Sequence, residues 1–65
     1  MKVTLNGSER EVSATSVARL ICELHLDART LAVEHNGIVL ARKDFEATRV
    51  QQGDRIELVR LVGGG

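Results

Sequence analysis

Apolar and polar positions alternate at the start of the chain. Met1, Val3 and Leu5 fall on one side, Lys2 and Thr4 on the other. A period of two is the mark of a strand with one buried face. Asn6-Gly7 follows; both residue types tolerate positive φ, as a two-residue hairpin turn requires. A return strand is expected over residues 9–12. From Thr15 the period changes. Val17, Leu20, Ile21 and Leu24 recur at helical spacing, which predicts an apolar stripe on a helix of about three turns. Thr15 or Ser16 can cap it through a side-chain oxygen, and Arg19 and Glu23 fall on its wet side. Residues 31–35 read as a third strand, closed by a second Asn-Gly at Asn36-Gly37, and residues 38–41 as a short fourth. Residues 42–50 have no clean period and are expected to form a turn of helix or a loop in which Phe45 plugs the core. A turn at Gln52-Gly53-Asp54 leads into the last and longest strand, which is expected to run through Val62. Ile56 and Leu58 should face the helix there, and Glu57, Val59 and Leu61 should face away.

The order is strand, strand, helix, strand, strand, strand. This suits an α+β fold in which one helix lies across one face of a mixed sheet of four to five strands, the β-grasp arrangement. By analogy with that fold, the last strand lies beside the first, and the crossover takes the preferred right hand. Residues 1–62 are expected to make the domain and residues 63–65 a flexible glycine tail.

Composition narrows the function classes. At 65 residues the chain is near the lower size for folding alone. Cys22 is the sole cysteine, so no internal disulfide is possible, and a structural metal has no Cys/His cluster to hold it. Phe45 is the sole aromatic, so the core must be aliphatic. Nine basic and nine acidic residues cancel, and they cancel within each half of the chain as well. Without a basic stripe or stacking platforms, nucleic-acid binding is not expected. Nor is membrane binding, since no apolar run is long enough to span a bilayer. A free thiol and no export signal suggest a cytoplasmic protein.

Most chemistry-bearing side chains read as structural. Cys22 sits one position past the helix stripe and is expected to pack at the core edge as a small hydrophobe, although His25 is only three residues on. His25 and His35 fall on different elements with no third ligand at metal spacing. Ser8, Ser13 and Ser16 read as turn and cap residues. Lys43, Asp44 and Glu46 read as a solvated loop.

The C-terminal run ELVRLVGGG does not read so blandly. Val59 and Leu61 are expected on the sheet face that the helix leaves open, where polar residues are the norm. Together with Val62 they suggest a partner-binding surface. Gly63, Gly64 and Gly65 extended span roughly 10 Å without side chains, a thread suited to a narrow channel. Its one reactive group is the Gly65 carboxylate, which becomes electrophilic only after activation, for example as an acyl-adenylate.

Residues 31–65, LAVEHNGIVLARKDFEATRVQQGDRIELVRLVGGG, resemble the C-terminal half of the sulfur carrier of thiamine biosynthesis, the ThiS family. The resemblance rests on AVEHNG, on Arg42 followed three residues later by an aromatic, on GDRIELVR and on the terminal Gly64-Gly65. In the N-terminal half LNG and TSVARLICEL stand in the corresponding places. The resemblance implies a ubiquitin-like β-grasp carrier that is not itself an enzyme and binds no cofactor. It implies that a ubiquitin-activating-like adenylyltransferase, using ATP and magnesium, adenylates Gly65. A persulfide donor then converts it to a thiocarboxylate, and thiazole synthase accepts the sulfur. Gly63 and Gly64 would keep the channel clear. The chain departs from the family pattern at Phe45, where tryptophan is common, and at Gly63, where the family varies. The small subunit of molybdopterin synthase shares the fold, the diglycine and the chemistry, but often carries aromatic and proline residues before the tail, which this chain lacks. A protein-conjugating ubiquitin-like modifier and an inert-tailed interaction module are the remaining alternatives.

Overall fold

The computed structural model describes residues 1–62. The three glycines 63–65 lie outside them, and so do the tail and modification sites expected there. Five strands form one mixed sheet: β1 (Lys2–Leu5), β2 (Ser8–Glu11), β3 (Leu31–His35), β4 (Ile38–Leu40) and β5 (Arg55–Arg60), in the order β2-β1-β5-β3-β4. The last strand runs parallel to the first, with Thr4 beside Arg55 and Leu5 beside Ile56. All other pairs are antiparallel. The helix α1 (Val17–Glu23) covers one face. This is the expected β-grasp.

Both Asn-Gly pairs form tight hairpin turns with positive φ at each residue, 49° and 84° at Asn6-Gly7 and 50° and 86° at Asn36-Gly37. Ser16 is the helix cap, its side chain accepting from Arg19 N–H. The next donors, Val17 and Ala18 N–H, find carbonyls at Thr48 and Phe45. The irregular stretch before β5 thus satisfies the exposed amides of the helix start, and it also buries Phe45. Val17, Leu20 and Ile21 of the helix and Val3, Val33 and Ile56 of the sheet are almost fully enclosed. Each such side chain stabilises by about 1.5–3 kcal/mol relative to exposure, and so aliphatic burial holds the fold without staples.

Four boundaries differ from expectation. The strand β2 starts and ends one residue early; Val12, just past its end, still exchanges main-chain bonds with Met1 while its side chain is buried in the core. The helix has seven residues, about two turns. It stops because His25 takes φ 60°. Leu26 N–H then donates to Ile21 O and His25 N–H to Cys22 O, the paired bonds of a left-handed helix stop. The strand β4 ends at Leu40, not residue 41. The strand β5 ends at Arg60. Leu61 N–H still reaches Thr30 O, but its partner chain is already turning through a 3-10 segment, Ala28–Thr30, and no ladder remains for Val62.

Candidate functional site

The strand β5 lies at the centre of the sheet, and its alternation divides it cleanly. Ile56 and Leu58 are buried under the helix. On the opposite face Val59 is 59% exposed and Leu61 57%, and beyond the strand Val62 is 94% exposed. Cross-strand register extends this patch. Ala32 stands opposite Val59 on β3. Val39 of β4, 72% exposed, stands opposite Glu34, which in turn stands opposite Glu57. Ala32, Val39 and Val59 line a shallow apolar depression of about 70 Å³ together with Glu34 and Glu57. Val39 and Ala32 were not among the surface residues expected from sequence. Ile38, Val39 and Leu40 are all apolar, so no alternation revealed which of them faces out.

Glu34 and Glu57 are like charges directly opposed on neighbouring strands, an arrangement that destabilises a sheet. Neither makes an ion pair among the described residues. Beside the apolar depression they give the open face a mixed, acidic-rimmed character, suited to an apolar partner surface that carries a cation.

Three polar side chains fix β5. Asn6 uses its amide like a peptide, Nδ2 donating to Leu58 O (3.2 Å) and Oδ1 accepting from Leu58 N–H (2.8 Å). Asn36 Oδ1 accepts from Arg55 N–H (2.8 Å). Asp54, only 8% exposed, accepts from His35 Nε2 (2.7 Å), Asn36 Nδ2 (3.1 Å) and Gln51 N–H (2.9 Å). Burial pushes its carboxyl up, but the bonds from His35, Gln51 and Asn36 outweigh burial and hold it below the usual aspartate value. That network was not foreseen; Asp54 read only as a turn residue. It immediately precedes β5, roughly 20 Å from Arg60 at the strand's other end at the usual strand rise, so it acts on the position of β5.

Cys22 is exposed, which corrects the expected core-edge packing. The stripe turns inward through Leu20 and Ile21, and the next position falls beyond it. His25 serves as the helix stop. Ser13 Oγ and N–H bond the Glu23 carboxylate, tying the strand-to-helix link to the helix. Lys43 and Asp44 meet at 3.9 Å on the surface, and Glu46 is exposed. Among the described residues no three His, Cys, Asp or Glu side chains are placed to hold a metal, and no helix is long and apolar enough to cross a membrane.

Comparison with known proteins adds sequence and fold likeness. The ThiS family pattern matches residues 3–65. A crystal structure of the thiamine biosynthesis protein ThiS from Geobacter metallireducens superposes with a TM-score of 0.86 at 38% identity, covering all of both chains. A solution structure of a thiamine biosynthesis protein from the same organism gives 0.81 at 38%, covering all of this chain and 88% of that one. Two curated relatives are both called thiazole synthase. The one from Paramagnetospirillum magneticum is 39% identical and that from Magnetococcus marinus 36%. All of this chain is matched in each, but it spans only about a fifth (20%) of their length.

Proposed function

The chain belongs to the ThiS family, and from that premise we propose that it is a sulfur carrier in thiamine biosynthesis, acted on by other proteins and not itself an enzyme. The observation that carries the reading is the family match, which extends from residue 3 through Gly65. The Gly65 carboxylate is the working group. A ubiquitin-activating-like adenylyltransferase, supplied with ATP and magnesium, joins it to AMP and releases pyrophosphate. A persulfide sulfur then attacks the glycyl carbonyl and AMP leaves; a thiol attacks the outer sulfur of the resulting acyl disulfide, is oxidised to a disulfide with the donor's cysteine, and releases the thiocarboxylate. Charge develops on the carbonyl oxygen in the attack, and the partner enzyme must stabilise it. The carrier supplies a narrow glycine leash and a docking face. Val39, Val59, Leu61 and Val62 make that face, with Gly63 and Gly64 passing through the channel. Its setting is the cytoplasm.

Thiazole synthase is the proposed sulfur acceptor. Support comes from the relatives of that name, in which a stretch similar to this whole chain is part of the same polypeptide. Joining a carrier to its acceptor raises their effective concentration.

The test is intact-mass analysis after incubation with the adenylyltransferase, ATP, magnesium and a persulfide donor. Replacement of one oxygen by sulfur, localised to Gly65, is expected; an unchanged mass rejects the reading. Offering the loaded protein to thiazole synthase and to the molybdopterin system then separates the two pathways. Product from the second alone overturns the thiamine assignment.

A further inference from the structure

Only one edge of β5 is paired along its whole length. Toward β3, Leu61 N–H donates to Thr30 O (2.7 Å) and Asn36 N–H to Arg55 O (2.8 Å). The alternation of an antiparallel ladder then turns the main-chain groups of residues 55, 57, 59 and 61 to β3 and those of residues 56, 58 and 60 to β1. On that second side Ile56 O accepts from Asn6 N–H (3.0 Å), and Leu58 has both groups engaged by the Asn6 side chain. Arg60 comes next, and β1 has already ended at Leu5. The Arg60 N–H and C=O therefore project from an open sheet edge, without a partner among the described residues.

Beside that edge lies a groove of about 510 Å³. Leu5, Leu24, Leu26, Leu31 and Leu58 line it, with Arg10 and Arg60 at its rim. Arg10 pairs across from Val3 and Arg60 across from Leu31; both partners are buried under the helix, so the two guanidinium side chains belong to the same side of the sheet. Neither makes an ion pair among the described residues. An unpaired donor and acceptor side by side, an aliphatic trough and two free cations match one kind of occupant, an extended acidic and aliphatic peptide. A lipid chain would fill the trough and leave the main-chain groups unmet. Open edges of this sort either are blunted or serve as templates for another strand.

We propose that the edge of β5 at Arg60 is a strand-addition site. The protein that takes hold of the glycine tail lays an extended segment of its own along it, with an aliphatic side chain in the leucine groove and a carboxylate between Arg10 and Arg60. This rests on the carrier reading for the identity of the partner. It gives that partner a main-chain grip on the last strand residue and so fixes the direction in which the chain leaves Val62.

Residue-resolved hydrogen exchange on the full chain tests it, alone and with the adenylyltransferase in the absence of ATP. Alone, Arg60 N–H exchanges fast while Leu61 N–H, bonded to Thr30, is slow. In the complex Arg60 N–H is expected to slow at least tenfold, roughly the effect of one new main-chain bond in a local opening equilibrium. The double variant R10E/R60E, with folding checked by its unfolding midpoint, is expected to lower kcat/KM for adenylation about tenfold, with recovery in R10K/R60K. An Arg60 amide that exchanges as freely in the complex as alone overturns the proposal, as does full activity of the charge-reversed variant. Protection at Arg60 without adenylation would instead keep the strand-addition site and reject the carrier reading.

Discussion

Asp54 is the one buried charged residue among the described residues, and its energetics can be read from pH. An unfolded aspartate titrates near 3.8, and in the fold this one titrates lower. Between those values the unfolded chain binds more protons than the folded one, and stability therefore rises as pH rises. The contribution of Asp54 is complete above the unfolded value and is lost as pH drops through the folded one. Asp54→Asn is expected to cost about 1–3 kcal/mol at neutral pH, because an amide nitrogen must then face donors at His35 or Gln51. Its acid limb should be shallower than that of the parent. Urea unfolding at pH 7 and pH 3 measures both; equal losses at the two pH values would show that the carboxylate charge is not what matters. The sequence placed Asp54 in a turn and no further, since His35 and Asn36 lie 19 and 18 positions away along the chain. The two hairpin asparagines were legible for the same local reason, their turn chemistry, and illegible in their second role. Nothing near Asn6 in sequence says that its amide will complete a ladder at Leu58.

Elements were legible where the period was clean. The strand pattern of Met1 to Leu5 and the helix stripe from Val17 gave their faces correctly, because burial on one side imposes the period directly. Their ends were harder. The usual helix stop is glycine, and here His25 takes the left-handed conformation with no sequence signal to announce it. His25→Gly keeps the two stop bonds and removes the β-carbon clash. It should stabilise the protein by roughly 0.5–1 kcal/mol, the left-handed cost less the larger entropy that glycine loses on folding. A urea midpoint that rises with unchanged slope would bear this out, and a midpoint that falls would mean the His25 side chain does more than occupy the stop. The strand β4 failed for another reason. Three apolar residues in a row carry no period, and only pairing with β3 assigns Val39 to the open face.

At the scale of the molecule, one helix can bury one face of the sheet, and the other face must meet water or another protein. Half of that open face follows the solvent rule: Lys2, Thr4, Glu9 and Glu11 occupy β1 and β2 in register. The other half breaks it with Val39, Val59 and Leu61, close to where the chain departs for its glycines. Sequences that break a local rule without a stabilising return tend to do so at working surfaces, and the opposed Glu34 and Glu57 are a second breach in the same place. This separates docking from folding in one substitution. Val39→Lys places an ammonium opposite Glu34 and next to the like-charge pair. It should leave stability unchanged or raise it by a few tenths of a kcal/mol, up to about 1. It also puts a desolvation-costly charge in the middle of the apolar depression. On the proposed carrier reading, sulfur loading of Gly65 is then expected to fall about tenfold in kcat/KM, the ordinary loss for a central apolar contact. Unfolding midpoints and loading rates on the same preparation decide the matter. A Val39→Lys protein that is as stable as the parent and loads at the parental rate would mean that the partner never touches this face, and the grip on the carrier would then have to come from the β5 edge alone.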